Sequence, residues 1–554
     1  MVTHPSSVPV VDVQGSSLRG SVAGAQRRGR WYARCGVVTV TDLGGELMDM
    51  NCNAALLLWR TAHRSGGRPA IVERDAVVDY GRLVRRAAAV AAALTASGAG
   101  PDAPVAIFLE RGCDAAAAFF GTLAAGGIAV FVNEGLRPRQ IDHILAHSGA
   151  RHLITTAELL ARQPRALQGA AQVIDVGTLP VRVDDTIVPV TRLGNDVAQI
   201  IYTSGSTGQP KGVTVTHANV EAAARTVVSY LGIACPDRIA SLLPFSFVYG
   251  LSQLLCAVTA GAALVVERSP LPQQAVAALR DHEVTILAAV PALWMRLLSA
   301  GGLRDTPLPA LRVMTNAGGH LPLEAVHGLR AAHPQARLFL MYGLTEALRC
   351  TYLPPEEVDR RPDSIGRAIP GAEIYVIRED GTPAGPGEVG ELVHRGPTVT
   401  LGYWRDPDLT AQVFRPNPLR PPGAPEAERV VYSGDLVRRD ADGFLYFVSR
   451  KDRIIKTMGF RVGPDEVADV LYASGEVSEA AVMGEPDPMW GERIVAHVVL
   501  VAGGSLERLK VYCGRELARH LQPARIEVRD AMPLLPSGKH DVAAVRGASP
   551  VSGR

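Results

Sequence analysis

The chain has 554 residues, 47% hydrophobic and 20% charged, with a formal net charge of +2. That composition fits a globular protein with a large core and excludes wholesale disorder. The near-neutral charge gives no push toward nucleic acid, and no run reaches the ~18 unbroken apolar residues of a membrane span. Seven scattered cysteines, none in a CxxC pair, exclude a zinc knuckle or disulfide scaffold and point to a reduced, cytoplasmic protein.

Residues 1–46 carry Gly, Ser, Val and Arg without a period and read as a poorly ordered N-terminal extension. Periodicity sharpens from Asn53. Helices are predicted over 54–63, 80–97 and 115–125, and short apolar strands over 70–73, 105–109 and 128–132. Such alternation predicts a parallel sheet covered on both faces. It resumes with strands 262–266, 285–290 and 337–341 and helices 273–282 and 323–333. After Ile365, Gly/Pro turns separate short strands such as 373–377 and 390–395, the texture of a β-rich subdomain, and 416–425 is a Pro-rich loop. Beyond Arg450 a small α+β unit follows, with helices over 464–473 and 506–521 and strands over 479–483 and 494–500. The predicted division is therefore 1–46, 47–450 and 451–554.

Five segments carry chemistry. The first follows a strand-like run at 198–201: Thr203, Ser204, Gly205, Ser206, Thr207, Gly208, Gln209, Pro210 and Lys211. Its glycines let the backbone approach a phosphate closely, hydroxyls and N–H groups can wrap phosphate oxygens, and Lys211 adds charge. It is not a Walker A loop, which needs Lys directly after the second glycine of G-x-x-x-x-G. The second is Tyr342-Gly343-Leu344-Thr345-Glu346, where Glu346 offers a carboxylate suited to Mg²⁺. Read locally, Thr345 could instead cap a helix with Glu346 in its first turn. The third is Asn316-Ala317-Gly318, after a predicted strand. The fourth is Ser433-Gly434-Asp435-Leu436, whose carboxylate could accept two sugar hydroxyls or simply close a turn. The fifth comprises the charged run 449–456, the Gly459–Arg461 stretch behind it, and Pro536-Ser537-Gly538-Lys539 near the end.

In this order and at these separations, the segments resemble the adenylate-forming (AMP-binding) superfamily of acyl-CoA synthetases, peptide-synthetase adenylation domains and beetle luciferases, over about residues 53–541. The resemblance implies a large N-terminal domain of α/β layered sheets with a β-rich subdomain, and a small mobile α+β C-terminal domain. It implies that residues 203–208, Asn316, Ala317, Gly318, Tyr342, Gly343, Asp435, Arg450 and Arg461 bind ATP and then AMP. Lys211, Thr345 and Glu346 would act on the phosphates, with Glu346 holding Mg²⁺. Lys539 would bridge carboxylate and α-phosphate, Asp452 would be the hinge, and Gly459 would border the thiol tunnel.

By family position the acyl pocket includes Phe247, Val248, Ala292, Met341 and Arg349. Amino-acid-activating members usually follow the Phe of this pair with Asp, which neutralises the substrate ammonium. Val248 cannot, and an unpaired buried ammonium is costly. The expected substrate is thus a small carboxylic acid without an α-ammonium. Arg349 is left with two readings: it meets an anionic or polar substrate group, or it binds a local carboxylate. The stretch 341–369 looks most like ligases associated with exosortase systems. The acceptor is coenzyme A or the phosphopantetheine of a carrier protein, which end in the same thiol. The rival functions are an amino-acid-activating enzyme and a non-catalytic nucleotide binder; the second should have a broken phosphate loop or lack Glu346 or Lys539, and this chain has all three.

Overall fold

The computed structural model describes residues 51–547, apart from 75, 137, 163–171, 181–187, 205–209, 301, 424–427, 452, 458–459, 488–490 and 536–537. The predicted N-terminal extension, the tip of the phosphate loop, Asp452 and Gly459 lie outside the described residues.

Three sheets organise the described chain. A 7-stranded sheet runs Gly402–Tyr403, Pro210–Thr216, Val197–Ser204, Ile128–Phe131, Pro104–Ile107, His152–Thr155, Gln172–Asp175. From Val197–Ser204 to Gln172–Asp175 its strands are parallel; Val197–Ser204 and Pro210–Thr216 form an antiparallel hairpin at the other end. A 14-stranded sheet has a parallel block from Pro69–Glu73 through Ala263–Val266, Arg238–Ser241, Ile286–Ala289 and Val313–Asn316 to Arg337–Tyr342. These strands are apolar nearly throughout, as burial on both faces requires.

Helices bury a shared core against the two large sheets. Tyr80–Ala96 starts where the Asp79 side chain accepts from the Arg82 N–H, and the chain leaves it through Gly98 at φ +83°. Cys113–Ala124 is buried at every position except Asp114, and such an all-round apolar helix belongs in an interior. Gly121 lets these two helices meet: a Cβ there would stand 2.5 Å from the Ala87 carbonyl oxygen. The opposite face of the 14-stranded sheet packs a second core around Trp294.

The β-rich segment is built onto the 14-stranded sheet. Thr351–Leu353 pairs antiparallel with Arg337–Tyr342, and the antiparallel strands Ser364–Ala368, Leu445–Arg450, Arg429–Arg439, Val389–Arg395 and Glu373–Ile377 extend the same 14-stranded sheet. Thr345 does not cap a helix: a single 3-10 turn spans Thr345–Ala347, and Leu344 holds the capping position without a side-chain bond. The helix predicted over 506–521 ends at Glu516. Leu517 turns extended and is buried in the third core, and Gln522 Nε2 donates to the carbonyls of Gly514 (3.4 Å) and Leu517 (2.9 Å). Burial of Leu517 outweighs local helix propensity.

The third, 5-stranded sheet comprises Phe460–Val462, Ile455–Thr457, Gly491–Leu500, Val477–Asp487 and Arg525–Val528, with its own core under helices Pro464–Ala473 and Leu506–Glu516. Its helix Pro464–Ala473 meets the larger body where Asp469 Oδ1 lies 3.0 Å from His320 Nε2.

Candidate active site

Described residues from four of the segments singled out from the sequence, 316–318, 342–346, Asp435 with Arg450, and Lys539, lie near one another beside the strand ends of the 14-stranded sheet. Strand Val313–Asn316 ends in buried Asn316, whose Nδ2 donates to the Gly319 carbonyl at 3.1 Å while its Oδ1 has no partner. Ala317 is buried behind it, and Gly318 follows at φ +91°. The lysine chain of Lys539 lies against this glycine: a Cβ on Gly318 would stand 3.3 Å from Lys539 Cε and 3.9 Å from its Nζ. Gly538 sits at φ +77° against Val290, and the Leu535 N–H donates to the Lys539 carbonyl at 2.7 Å, so a tight turn presents the lysine.

The next strand, Arg337–Tyr342, brings Tyr342, whose hydroxyl donates to Asp435 Oδ2 at 2.5 Å. Burial and the neighbouring carboxylate hold this phenol well above its ordinary value, so it stays a donor. Asp435 is buried on Arg429–Arg439, opposite Arg450 of Leu445–Arg450, with Arg450 Nε 3.6 Å from Asp435 Oδ1. Gly343 leads into the 3-10 turn of Thr345 and Glu346. Glu346 Oε1 accepts from the Tyr403 hydroxyl at 2.5 Å. Tyr403 lies on Gly402–Tyr403, which pairs with the strand carrying Lys211, so Glu346 is tied to the phosphate-loop hairpin. In that hairpin Thr203 faces Lys211 and Ser204 faces Pro210. Gly205, Ser206, Thr207 and Gly208, which would close it, lie outside the described residues, and Arg461 is placed only by its pairing with Lys456.

Crowding by the surrounding protein, then the charges of Arg453 and Arg450, push the Lys539 ammonium below its ordinary value although the side chain keeps an exposed surface, while Asp435 and Glu346 oppose them. The lysine thus stands near Arg453, Arg450, Asp435 and Glu346, at a focus of positive charge suited to an anionic ligand.

Sequence reasoning passed over Glu391, Tyr403 and His320. Buried Glu391 accepts from the Gly434 N–H at 2.9 Å and from Lys451 Nζ at 2.6 Å, tying the turn before Asp435 to the segment after Arg450. Its one sequence signal is a carboxylate at an inward position of an otherwise buried apolar strand, Val389–Arg395.

Beside this cluster, a narrow cavity is lined by Gln199, Ile201, Val248, Leu251, Leu348 and Arg349, among others. Val248 and Arg349 both line it, whereas Phe247, Ala292 and Met341 do not. Met341 is buried with the Tyr230 hydroxyl 3.1 Å from its sulfur; Phe247 caps helix Val248–Ala260, and Ala292 is half-buried on Pro291–Ser299.

Comparison with known proteins matches residues 58–404 to the AMP-binding enzyme family and 466–539 to the AMP-binding enzyme C-terminal domain. The chain is 33% identical to novobiocin biosynthesis protein H of Streptomyces niveus, over 88% of this chain and 81% of that protein. It is 31% identical to sulfoacetate–CoA ligase of Cupriavidus necator, over 88% of this chain and 96% of that protein. Several other curated relatives are much longer, and the chain spans 6% to 20% of their length. Among solved structures, the o-succinylbenzoate CoA synthetase of Bacillus subtilis, in complex with its acyl-adenylate intermediate, superposes with a TM-score of 0.79 at 28% identity, covering 90% of this chain and 99% of that one. With a family model matched over more than half its length and its motifs gathered at one site, the chain belongs to the AMP-binding enzyme family and is an AMP-forming acid ligase.

Proposed function

We propose that this ligase joins a small carboxylic acid to the α-phosphate of ATP and then hands the acyl group to a thiol, of coenzyme A or of a carrier protein's phosphopantetheine. In the first step a carboxylate oxygen attacks the α-phosphorus and pyrophosphate leaves. In the second the thiol attacks the acyl carbon and AMP leaves. Both steps depend mainly on alignment and charge neutralisation. The observation that carries this reading is the seat of Lys539 against Gly318, in the field of Asp435 and Glu346. A cation there can bridge the acid's carboxylate and the α-phosphate as charge builds between them.

Asp435 and Arg450 are assigned to the ribose. Thr203, Ser204, Lys211 and the loop from Gly205 to Gly208 are assigned to the phosphates, and Asn316, Ala317, Tyr342 and Gly343 to the adenine and acyl walls. Glu346 fits Mg²⁺ as a single protein carboxylate: one oxygen is held by Tyr403, and among the described residues no cluster of three or more metal-ligating side chains competes with it. The ion, held there, would neutralise phosphate charge. Residues 451–554 are proposed as the moving domain, with Asp452 as pivot, Arg461 swinging with it and Gly459 bordering the thiol's path. A bound ATP–Mg complex in a related CoA synthetase supports the nucleotide assignment. The finer likeness to exosortase-associated ligases stays a proposal.

Lys539→Ala tests the reading. It is expected to lower acyl-AMP formation by about 100-fold or more while leaving thiolysis of supplied acyl-AMP within about threefold. Equal losses in both half-reactions would remove Lys539 from the first step.

A further inference from the structure

Arg349 is 5% exposed. Its Nη1 donates to the Leu348 carbonyl at 3.0 Å, and its guanidinium carbon lies 5.0 Å from the centre of the Tyr249 ring. Its Nε is buried without a partner, and among the described residues no carboxylate pairs with it. A local carboxylate, the structural alternative for this residue, is therefore not what it meets. An enclosed cation with unused donors is a costly arrangement for a fold to keep.

The backbone is strained to aim it. The Arg349 N–H reaches back to the Ala347 carbonyl at 2.5 Å across Leu348, which sits at φ +54°, ψ −54°. That is a γ-turn of the rare positive-φ kind, unfavourable for a leucine, and such outliers gather at ligand clamps. The turn directly follows Thr345 and Glu346, so the segment that serves the phosphates also delivers the guanidinium. The cavity it lines is otherwise mainly apolar, from Ile201, Val248, Leu251 and Leu348, with Gln199 adding a polar edge. Tyr249, under the guanidinium, is itself fixed by its hydroxyl bonding to the Thr315 carbonyl at 2.8 Å, on the strand that leads to Asn316 and Gly318.

We infer that Arg349 binds a second anionic group on the acid, so that the substrates are short carboxylic acids bearing a further carboxylate or sulfonate, held at the far end from the carboxylate to be activated. The inference rests on the ligase reading above and names its substrate class. Arginine suits the task because its planar fork binds an oxyanion through two parallel bonds and keeps its charge when buried. An acid with only a methyl end would leave that fork unpaired, which is the strongest kind of discrimination a pocket offers. The narrowness of the cavity favours short acids over long alkyl chains.

The test measures ATP–pyrophosphate exchange and, separately, the melting temperature with acid present, for matched pairs: butyrate against succinate, propionate against 3-sulfopropionate, benzoate against phthalate. Wild-type protein, Arg349→Met and Arg349→Lys are compared. The second-anion acid should be preferred by about 100-fold in kcat/KM within at least one pair. Arg349→Met should cut that ratio at least tenfold and abolish the melting shift, while Arg349→Lys keeps part of both. Without acid, Arg349→Met should melt no lower than wild type, because it removes an unpaired buried charge. Preference for the monoanionic partner in every pair, or an unchanged ratio in Arg349→Met, overturns the inference and leaves the ligase reading standing. A melting shift by second-anion acids that needs Arg349 but brings no exchange keeps the anion site and sinks the ligase reading. Neither shift nor exchange with any second-anion acid overturns the inference.

Discussion

Gly318 shows how one residue can couple two parts of the chain. Its φ of +91° favours glycine, and its missing side chain leaves the space that the Lys539 chain occupies. Gly318→Ala therefore adds backbone strain and a Cβ 3.3 Å from Lys539 Cε. Acyl-AMP formation should fall by about tenfold or more, with thiolysis of supplied acyl-AMP much less affected. Equal effects on both half-reactions would mean that the glycine serves the fold rather than the lysine's seat. The lowered value of Lys539 adds a pH signature. The ammonium is the useful form, so kcat/KM for ATP should fall as pH rises, with a midpoint below the 10.5 of an ordinary lysine. A profile flat up to that value would contradict the placement of Lys539 beside Arg453 and Arg450.

At the scale of elements, what was legible was periodicity and what was hidden was pairing. Helices Tyr80–Ala96 and Pro464–Ala473 and strand Glu373–Ile377 lie where apolar spacing put them, because each buries one face or all of it. Local spacing could not tell that Thr351–Leu353 would join the β-rich strands to the parallel block, since strand pairing is non-local. Nor could it shorten the helix at Glu516, where Leu517 leaves for a core built by distant residues. The candidate site was legible through motif order, since the residues that gather there sit at strand ends and in turns. Glu391, Tyr403 and His320 escaped because each acts through a partner far away in sequence. The third offers an element-level test. Burial alone would lower His320, but the bond and charge of Asp469, with Asp465 and Asp363, leave it raised above 6.5. A raised folded value means that the contact with Pro464–Ala473 is fully present below about pH 6.5 and is lost as pH climbs through the folded value. Acyl-AMP formation relative to thiolysis should fall over that window by about fivefold at most, the scale of a partly exposed ion pair. His320→Gln should flatten the response; an unchanged slope would show that the contact does not hold this arrangement.

Across the whole molecule, two large sheets share one core, and a turn in the segment after strand Arg525–Val528 brings Lys539 to Gly318. No helix among the described residues is long and apolar enough to cross a membrane. In the proposed two-step reaction, a lysine outside the two large sheets is free to withdraw once the first step is complete. The central claim is that a carboxylic acid is activated at the α-phosphate. Incubating the protein with ATP, Mg²⁺, labelled pyrophosphate and a panel of mono- and dianionic acids tests it directly. Acid-dependent return of label into ATP, with AMP as the nucleotide product once a thiol is added, is the predicted result. ADP as the product, or no exchange with any acid in the panel, would contradict it.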